Sequence, residues 1–375
     1  MQLTDLDAAA RQKLLNTLRQ LSLHMEQLLQ TGMSTASEHT VTQFMQAFQT
    51  ASGLGLNRLG STLRLLGQEI QRYVRKDEPF SPRRLAFFLN RNWLTCQGLQ
   101  EAIQQQDHSR WQSMNLIQPR TLLDELTVVT LGVGKKLVPG VFAAFEFRMR
   151  VIDPQHVLAG KSLLFSLVFP LNPQQRIHPE AFLEFDQKQK YRPAILLEQV
   201  VRMRQVQLVH ESPSRVRLNL LPESTVTPQH PVRELPDCKA LAMRDPALDQ
   251  TQLASYQPTP FDLEIDLQTE ILLENWTTGD LRHDPGFPDR YVLDISAAGR
   301  DYLALISIAE EGKALLKAMQ AQMQREHRDP LFAILHYELG RRILQPLSLV
   351  EQGQFRHLML GEDKTDYRQL LKQAG

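Results

Sequence analysis

Apolar residues recur with two different periods along this chain, and the change from one to the other marks its parts. Over residues 1–116 the period is helical. Leu14, Leu18, Leu21, Met25 and Leu28 follow in alternating steps of four and three, which puts them on one helical face. Thr4, with Asp7 three residues on, has the form of a capping box before that helix, and Gly32 is a natural stop. Leu56, Leu59, Leu63, Leu66, Ile70 and Val74 form a second stripe. Ser81-Pro82 opens a further helix, because serine caps and proline in the first turn loses no needed hydrogen bond. That helix carries Leu85, Phe88, Leu89, Trp93 and Leu99. A seam of two heptads is too short for a coiled coil, so these helices are expected to form a bundle.

Beyond Pro119 the period shortens to two. Val141, Ala143, Phe145, Phe147, Met149 and Val151 alternate with neighbours that include Glu146, Arg148 and Arg150, which predicts a strand with its aromatic rings turned inward. Ser162 to Phe169 is apolar at nearly every position, as in a strand covered on both faces. Arg202–Val209 and Arg215–Leu221 flank Glu211-Ser212-Pro213-Ser214 and read as a hairpin. Strands so closely spaced predict a mostly antiparallel sheet over 117–222, with helix entering near Pro179–Glu198. Pro222, Pro228, Pro231, Pro236, Pro246, Pro258 and Pro260 then mark 223–260 as a proline-rich exposed connection.

The last region, 261–375, reads as mixed to helical. Strands are expected at Phe261–Leu267 and Tyr291–Ile295. Helices are expected at Ala309–Glu326, from Asp329-Pro330 through Ile334, Leu335, Leu339 and Ile343 to Pro346, and at Asp366–Lys372. The fold class that follows is α+β: an N-terminal helical domain, a central mostly antiparallel β-rich domain and a C-terminal helical segment. No repeat period stands out.

Composition adds little to this picture. At 375 residues, with 42% hydrophobic and 22% charged, the chain has room for several cores and needs no disulfide staples. Cys96 and Cys238 are too few for a structural zinc site. The longest apolar run, Ser162–Leu171, is about half the roughly 20 residues that span a bilayer as a helix. The first thirty residues have no uninterrupted apolar stretch for a signal peptide. A cytoplasmic protein without membrane contact and without a cofactor is the expectation.

Charge balances globally, with 42 Lys plus Arg against 42 Asp plus Glu. Locally it does not: Arg58, Arg64, Arg72, Arg75, Lys76, Arg83, Arg84 and Arg91 outnumber Glu69, Asp77 and Glu78. Gly132-Val133-Gly134-Lys135-Lys136 follows a strand but lacks the spacing and hydroxyl of a phosphate-binding loop, so a turn between strands is expected there. Asp280, His283, Asp284, Asp289 and Asp294 are the densest acid–histidine cluster. Asp280, His283 and Asp284 are therefore the candidates for catalysis, although Pro285–Pro288 stand where a kinase-type loop would need its asparagine. Cys96 lies among apolar neighbours and reads as an inert thiol. Arg202 and Arg204 share one strand face and Arg215 and Arg217 another, so a hairpin in register would gather four arginines against a phosphate backbone.

No complete catalytic set appears. The function expected from the sequence is a non-catalytic interaction or scaffold subunit with a protein partner. The alternatives are an enzyme with its site near Asp280–Asp294 and a nucleic-acid-associated factor using the Arg202–Arg217 hairpin.

Overall fold

The computed structural model describes residues 3–77, 80–115, 120–138, 142–171, 178–212, 215–235, 238–242, 268–285, 287–309, 312–338 and 341–361. The chain divides into two units, one holding the described residues up to Asn115 and the other those from Arg120 onward.

The first unit is helical: α1 (Ala8–Thr31), α2 (Glu38–Gly53), α3 (Asn57–Arg75), α4 (Pro82–Gln105) and α5 (His108–Asn115). The Leu14-to-Leu28 stripe is buried along its whole length, and α1 packs on α4, α4 on α3, and α3 on α2. Asp7 rather than Thr4 caps α1, its carboxylate accepting the Ala10 N–H at 2.7 Å. Gly32 ends the helix at φ 78°, a conformation that suits a residue without Cβ. Ser81 caps α4 with Pro82 in its first turn. Part of the basic run turns inward here. Glu69 is buried and accepts hydrogen bonds from Arg72, from Arg84 at 3.0 Å and from the Ser81 N–H at 3.3 Å, so these arginines clasp α3 to α4.

Among the described residues the second unit is built on twelve strands, with helices between them. The strands are β1 (Arg120–Val138), β2 (Phe142–Val151), β3 (Ser162–Pro170), β4 (Gln199–Ser212), β5 (Arg215–Pro231), β6 (Thr269–Leu273), β7 (Trp276–Asp284), β8 (Phe287–Ala297), β9 (Arg300–Ser307), β10 (Leu331–Glu338), β11 (Arg341–Glu351) and β12 (Gln354–His357). The helices are α6 (Ile195–Glu198), α7 (Cys238–Ala242) and α8 (Lys313–Met323), with a 3-10 turn at Pro179–Glu184.

The first five strands close into a barrel in the order β1-β2-β3-β5-β4. Every pairing is antiparallel except β3 with β5. Closure depends on the length of β1. Its first half pairs with β4, Arg120 opposite Val209, and its second half with β2, Val138 opposite Phe142. A bulge between Thr130 and Gly132 bends the strand from one partner to the other. Phe145, Phe147 and Phe165 fill the interior with Val128, Met149 and Met203.

The remaining strands run β6-β10-β11-β9-β8-β7, with β12 added to β11 and a parallel pair at β9 and β11. Only Glu274 and Asn275 separate β6 from β7. Taken as one interrupted strand, they pair with β10 at one end and with β8 at the other. The order of the first barrel then recurs: first strand, β8, β9, β11, β10, with a helix between the third and fourth strands in the same place. The chain thus contains a repeat of topology for which its sequence shows no period.

Several expectations need correction. The Gly132–Lys136 segment is no turn but lies inside β1. The apolar run from Ser162 is buried on both faces only as far as Phe165, and Val168 is 61% exposed. The proline-rich connection begins later than expected, because Pro222–Pro231 belongs to β5, where Pro228 faces Val201 and Pro231 faces Gln199. The C-terminal helical layout fails at Asp329–Pro346, which is the β10–β11 hairpin; Leu331–Leu335 is buried at every position, and a short continuous apolar run has no period to separate strand from helix. The Ala309–Glu326 segment does contain a helix, α8, and Tyr291–Ile295 lies in β8. Residues 243–267 and 362–375 lie outside the described residues, and with them the strand expected at Phe261–Leu267 and the helix expected at Asp366–Lys372. Among the described residues no helix is long and apolar enough to cross a membrane.

Candidate nucleic-acid interface

The four arginines of the β4–β5 hairpin do not meet. Antiparallel pairing sets the start of each strand at the opposite end of the ladder, and both arginine pairs lie near the starts of their strands. Arg202 and Arg204 face Thr227 and Thr225, while Arg215 faces Ser212 and Arg217 faces Val209. Arg204 donates to Glu125 at 2.6 Å and Arg202 lies 3.5 Å from the same carboxylate, both partly exposed. Arg215 is buried and donates to the Gln268 carbonyl at 2.7 Å.

Asp280, His283 and Asp284 all lie on β7, and their side chains diverge. Asp284 is buried and accepts from Arg290 Nε at 2.9 Å, with Arg341 at 3.8 Å from the same oxygen. His283 is exposed, its ring tilted against Tyr291 with centroids 4.4 Å apart. Asp280 is exposed. Asp294 on β8 takes both arms of Arg282, the second at 3.0 Å. Among the described residues no group of three or more His, Cys, Asp or Glu side chains is placed to hold a metal. A carboxylate committed to guanidinium partners is a poor general base. Of the cluster that looked catalytic in the sequence, Asp284 and Asp294 are the acidic partners of arginines.

Those pairs bring Arg290 and Arg341 together on Asp284, beside the β7–β8 turn and the start of β11, with the Arg282–Asp294 pair further along β7 and β8. Arg342, next to Arg341, is exposed. The Arg341 Nε is buried with no hydrogen-bond partner among the described residues, so a donor there is left without an acceptor. The His283–Tyr291 ring pair lies on the adjacent rung, where those two residues face each other across β7 and β8.

The matching face of the first barrel is covered. Arg148 and Arg150, which the alternation along β2 assigned to the solvent side, are 3% and 2% exposed and reach Glu270 on β6. Ser162 at the start of β3 donates to the same carboxylate. Burial alone would raise the Glu270 pKa, but the guanidinium groups of Arg150 and Arg148 and the hydrogen bonds from Ser162 and Arg150 outweigh it and hold the group at about 2. Sequence reasoning missed this site. Its one local signal was the pair of arginines on a single strand face, and their partner lies far along the chain.

A five-stranded barrel closed in the order 1-2-3-5-4, with a helix ahead of the fourth strand, is an OB-type barrel, the class whose second- and third-strand face and adjoining loops bind oligonucleotides and oligosaccharides. Here two such strand orders stand in tandem. No protein-family model matches the sequence, and no curated protein does. Among solved structures the chain is similar to the Ifi202 HINa domain in complex with 20bp dsDNA, at 11% identity and a TM-score of 0.31, covering 60% of this chain and 94% of that one. It is similar also to a murine DNA binding protein bound with ds DNA, at 12% identity and a TM-score of 0.25, over 60% of this chain and 90% of that one. The tetrameric p202 HIN2 follows at 7% identity and a TM-score of 0.27, over 61% and 91%. Two of these neighbours are described on double-stranded DNA, and the expectation of a non-catalytic scaffold subunit is withdrawn. At such scores resemblance is no guide to a ligand, and a positive reading has to come from the barrels' own strand order and side chains.

Proposed function

We propose that this chain binds nucleic acid, with the outer face of the second barrel as the primary contact. The observation that carries this reading is the grouping of Arg290 and Arg341 beside the β7–β8 turn and the start of β11, with Arg282 further along β7, on the face an OB-type barrel offers its ligand. Guanidinium forks match phosphate oxygens in two-point geometry. Asp294 takes both arms of Arg282, and Asp284 pairs with Arg290 and Arg341, so a phosphate would share these groups with their carboxylates. Arg202 and Arg204, with Thr225 and Thr227 opposite them, form a second polar strip, on the first barrel. A cytoplasmic setting belongs to the proposal and agrees with the free buried thiol of Cys96.

The test is fluorescence anisotropy with short single-stranded and duplex oligonucleotides over a salt series. Binding should weaken steeply with salt. Arg282→Gln and Arg341→Gln should each flatten the log–log slope, by roughly 0.7 per lost contact on a single strand or 0.9 on a duplex. Arg202→Gln with Arg204→Gln should have the smaller effect. Absence of binding at low salt, or binding indifferent to Arg282 and Arg341, would refute the reading.

A further inference from the structure

The contact between Glu270 and the first barrel has the chemistry of a ligand site rather than of ordinary packing. Arg148 Nη1 donates to one Glu270 oxygen at 3.1 Å, Arg150 donates to the other, and the Ser162 hydroxyl adds a third donor. Each arginine is itself fixed. Arg148 donates to Glu146 at 2.7 Å and to the Gln268 side chain at 3.4 Å, and Arg150 to the Met149 carbonyl at 3.1 Å. Arg215 donates to the Gln268 carbonyl at 2.7 Å and so holds the backbone just before β6. Two guanidinium groups and a hydroxyl converging on one oxyanion is how proteins recognise phosphate. An apolar pair of surfaces would pack here without the desolvation that buried charges demand.

We infer that Arg148, Arg150 and Ser162 form an oxyanion site for a phosphate-type group on the outer face of the first barrel, and that the chain's own Glu270 occupies it. The segment Gln268–Leu273 acts as an internal ligand, pairing with β10 on one edge while its carboxylate fills the clamp. The face is closed for as long as that segment stays in place. The inference does not rest on the nucleic-acid reading, whose residues are others.

Chemical rescue tests it in the full chain. Glu270→Ala removes the internal carboxylate and leaves both guanidinium groups. Glu270→Gln keeps the side-chain shape without the charge. Melting temperatures are measured in sodium phosphate and in sodium chloride at matched ionic strength, with the wild type reporting the general effect of phosphate on stability. Inorganic phosphate should raise the melting temperature of Glu270→Ala saturably, by roughly 5 °C or more beyond the wild type once it is about a hundredfold above its dissociation constant, and that of Glu270→Gln, whose amide still fills the clamp, by less. A variant that is unfolded in chloride should fold in phosphate. A third variant, Arg148→Met with Arg150→Met and Glu270→Leu, replaces the cluster by apolar groups that a buried site tolerates, and should lose the specific response. Phosphate responses no larger than those of the wild type, or Glu270 variants unfolded in both salts, would overturn the inference.

Discussion

Adding one methyl group at Gly132 tests how tightly the two barrels are pressed together. A Cβ at that position would lie 2.8 Å from Leu347 Cβ, 3.0 Å from Leu347 Cδ1 and 3.1 Å from Phe332 Cδ1. Ordinary carbon–carbon contacts fall at about 3.5–4.0 Å, so the overlap with the nearest atom is about 0.7 Å. Leu347 and Phe332 are fully buried and have no space to retreat into. Overpacking of this kind costs about 1–3 kcal/mol, against about 0.4–1 kcal/mol gained when alanine narrows the unfolded ensemble. The net expectation for Gly132→Ala is a loss of roughly 1–2 kcal/mol, or about 2–8 °C in melting temperature for a unit of this size. Gly134→Ala is the internal control, since its nearest neighbour would be Glu146 Cβ at 3.8 Å, an ordinary contact. Scanning calorimetry of both variants decides the matter. In a double-mutant cycle, Leu347→Gly should absorb much of the Gly132→Ala penalty, because it removes both Leu347 atoms that the new methyl group meets. Equal melting temperatures for the two glycine variants, or additive effects in the cycle, would show that the approach at Gly132 is not a packed contact.

Two further outcomes follow from buried titratable groups. Burial pushes the Cys96 thiol up to about 12, the Ser22 hydrogen bond offsetting part of this, so in a Cys238→Ser background the native protein should resist thiol labelling at pH 8 and react fully once denatured. Burial also lowers His357 to about 4 from an ordinary value of 6.5, with the Leu197 backbone working against the shift. Between those values the unfolded chain binds a proton at this site that the folded chain refuses, so stability should fall as pH drops from 6.5 towards 4 and level off below. Denaturant melts of the wild type and of His357→Gln across that window should differ in slope, and parallel curves would exclude His357 as the source.

The parts of the fold that could be read from sequence are those whose signal is local. Leu14 to Leu28 specify their own helix face, and the alternation from Ala143 to Val151 specifies which rings enter the barrel. Ser81-Pro82 and Gly32 mark helix ends through backbone chemistry that needs no distant partner. What escaped depends on distant pairing. Prolines at 222, 228 and 231 argue against a strand taken alone, yet β4 pairs with that stretch across two bulges. Arg148 and Arg150 look like the wet face of a strand until Glu270 arrives from far along the chain. The same holds for the candidate site. Its histidine and aspartates were visible as a cluster, but the arginines that give them meaning come from β8 and β11, and a one-dimensional cluster of acids looks alike whether it serves catalysis or orients cations.

The double duty of β1 has a consequence for how the protein is made. Its first half waits for β4, and Arg120 finds Val209 only after β2, β3 and the segment beyond them have left the ribosome. Until then a nascent chain displays Leu122, Leu123, Leu126 and Val128 along an unsatisfied backbone edge, the kind of surface that recruits neighbouring chains. The second half repeats the hazard, since β6 waits for β10. The time taken to make the stretch from Val138 to Val209 therefore sets how long the edge stays open.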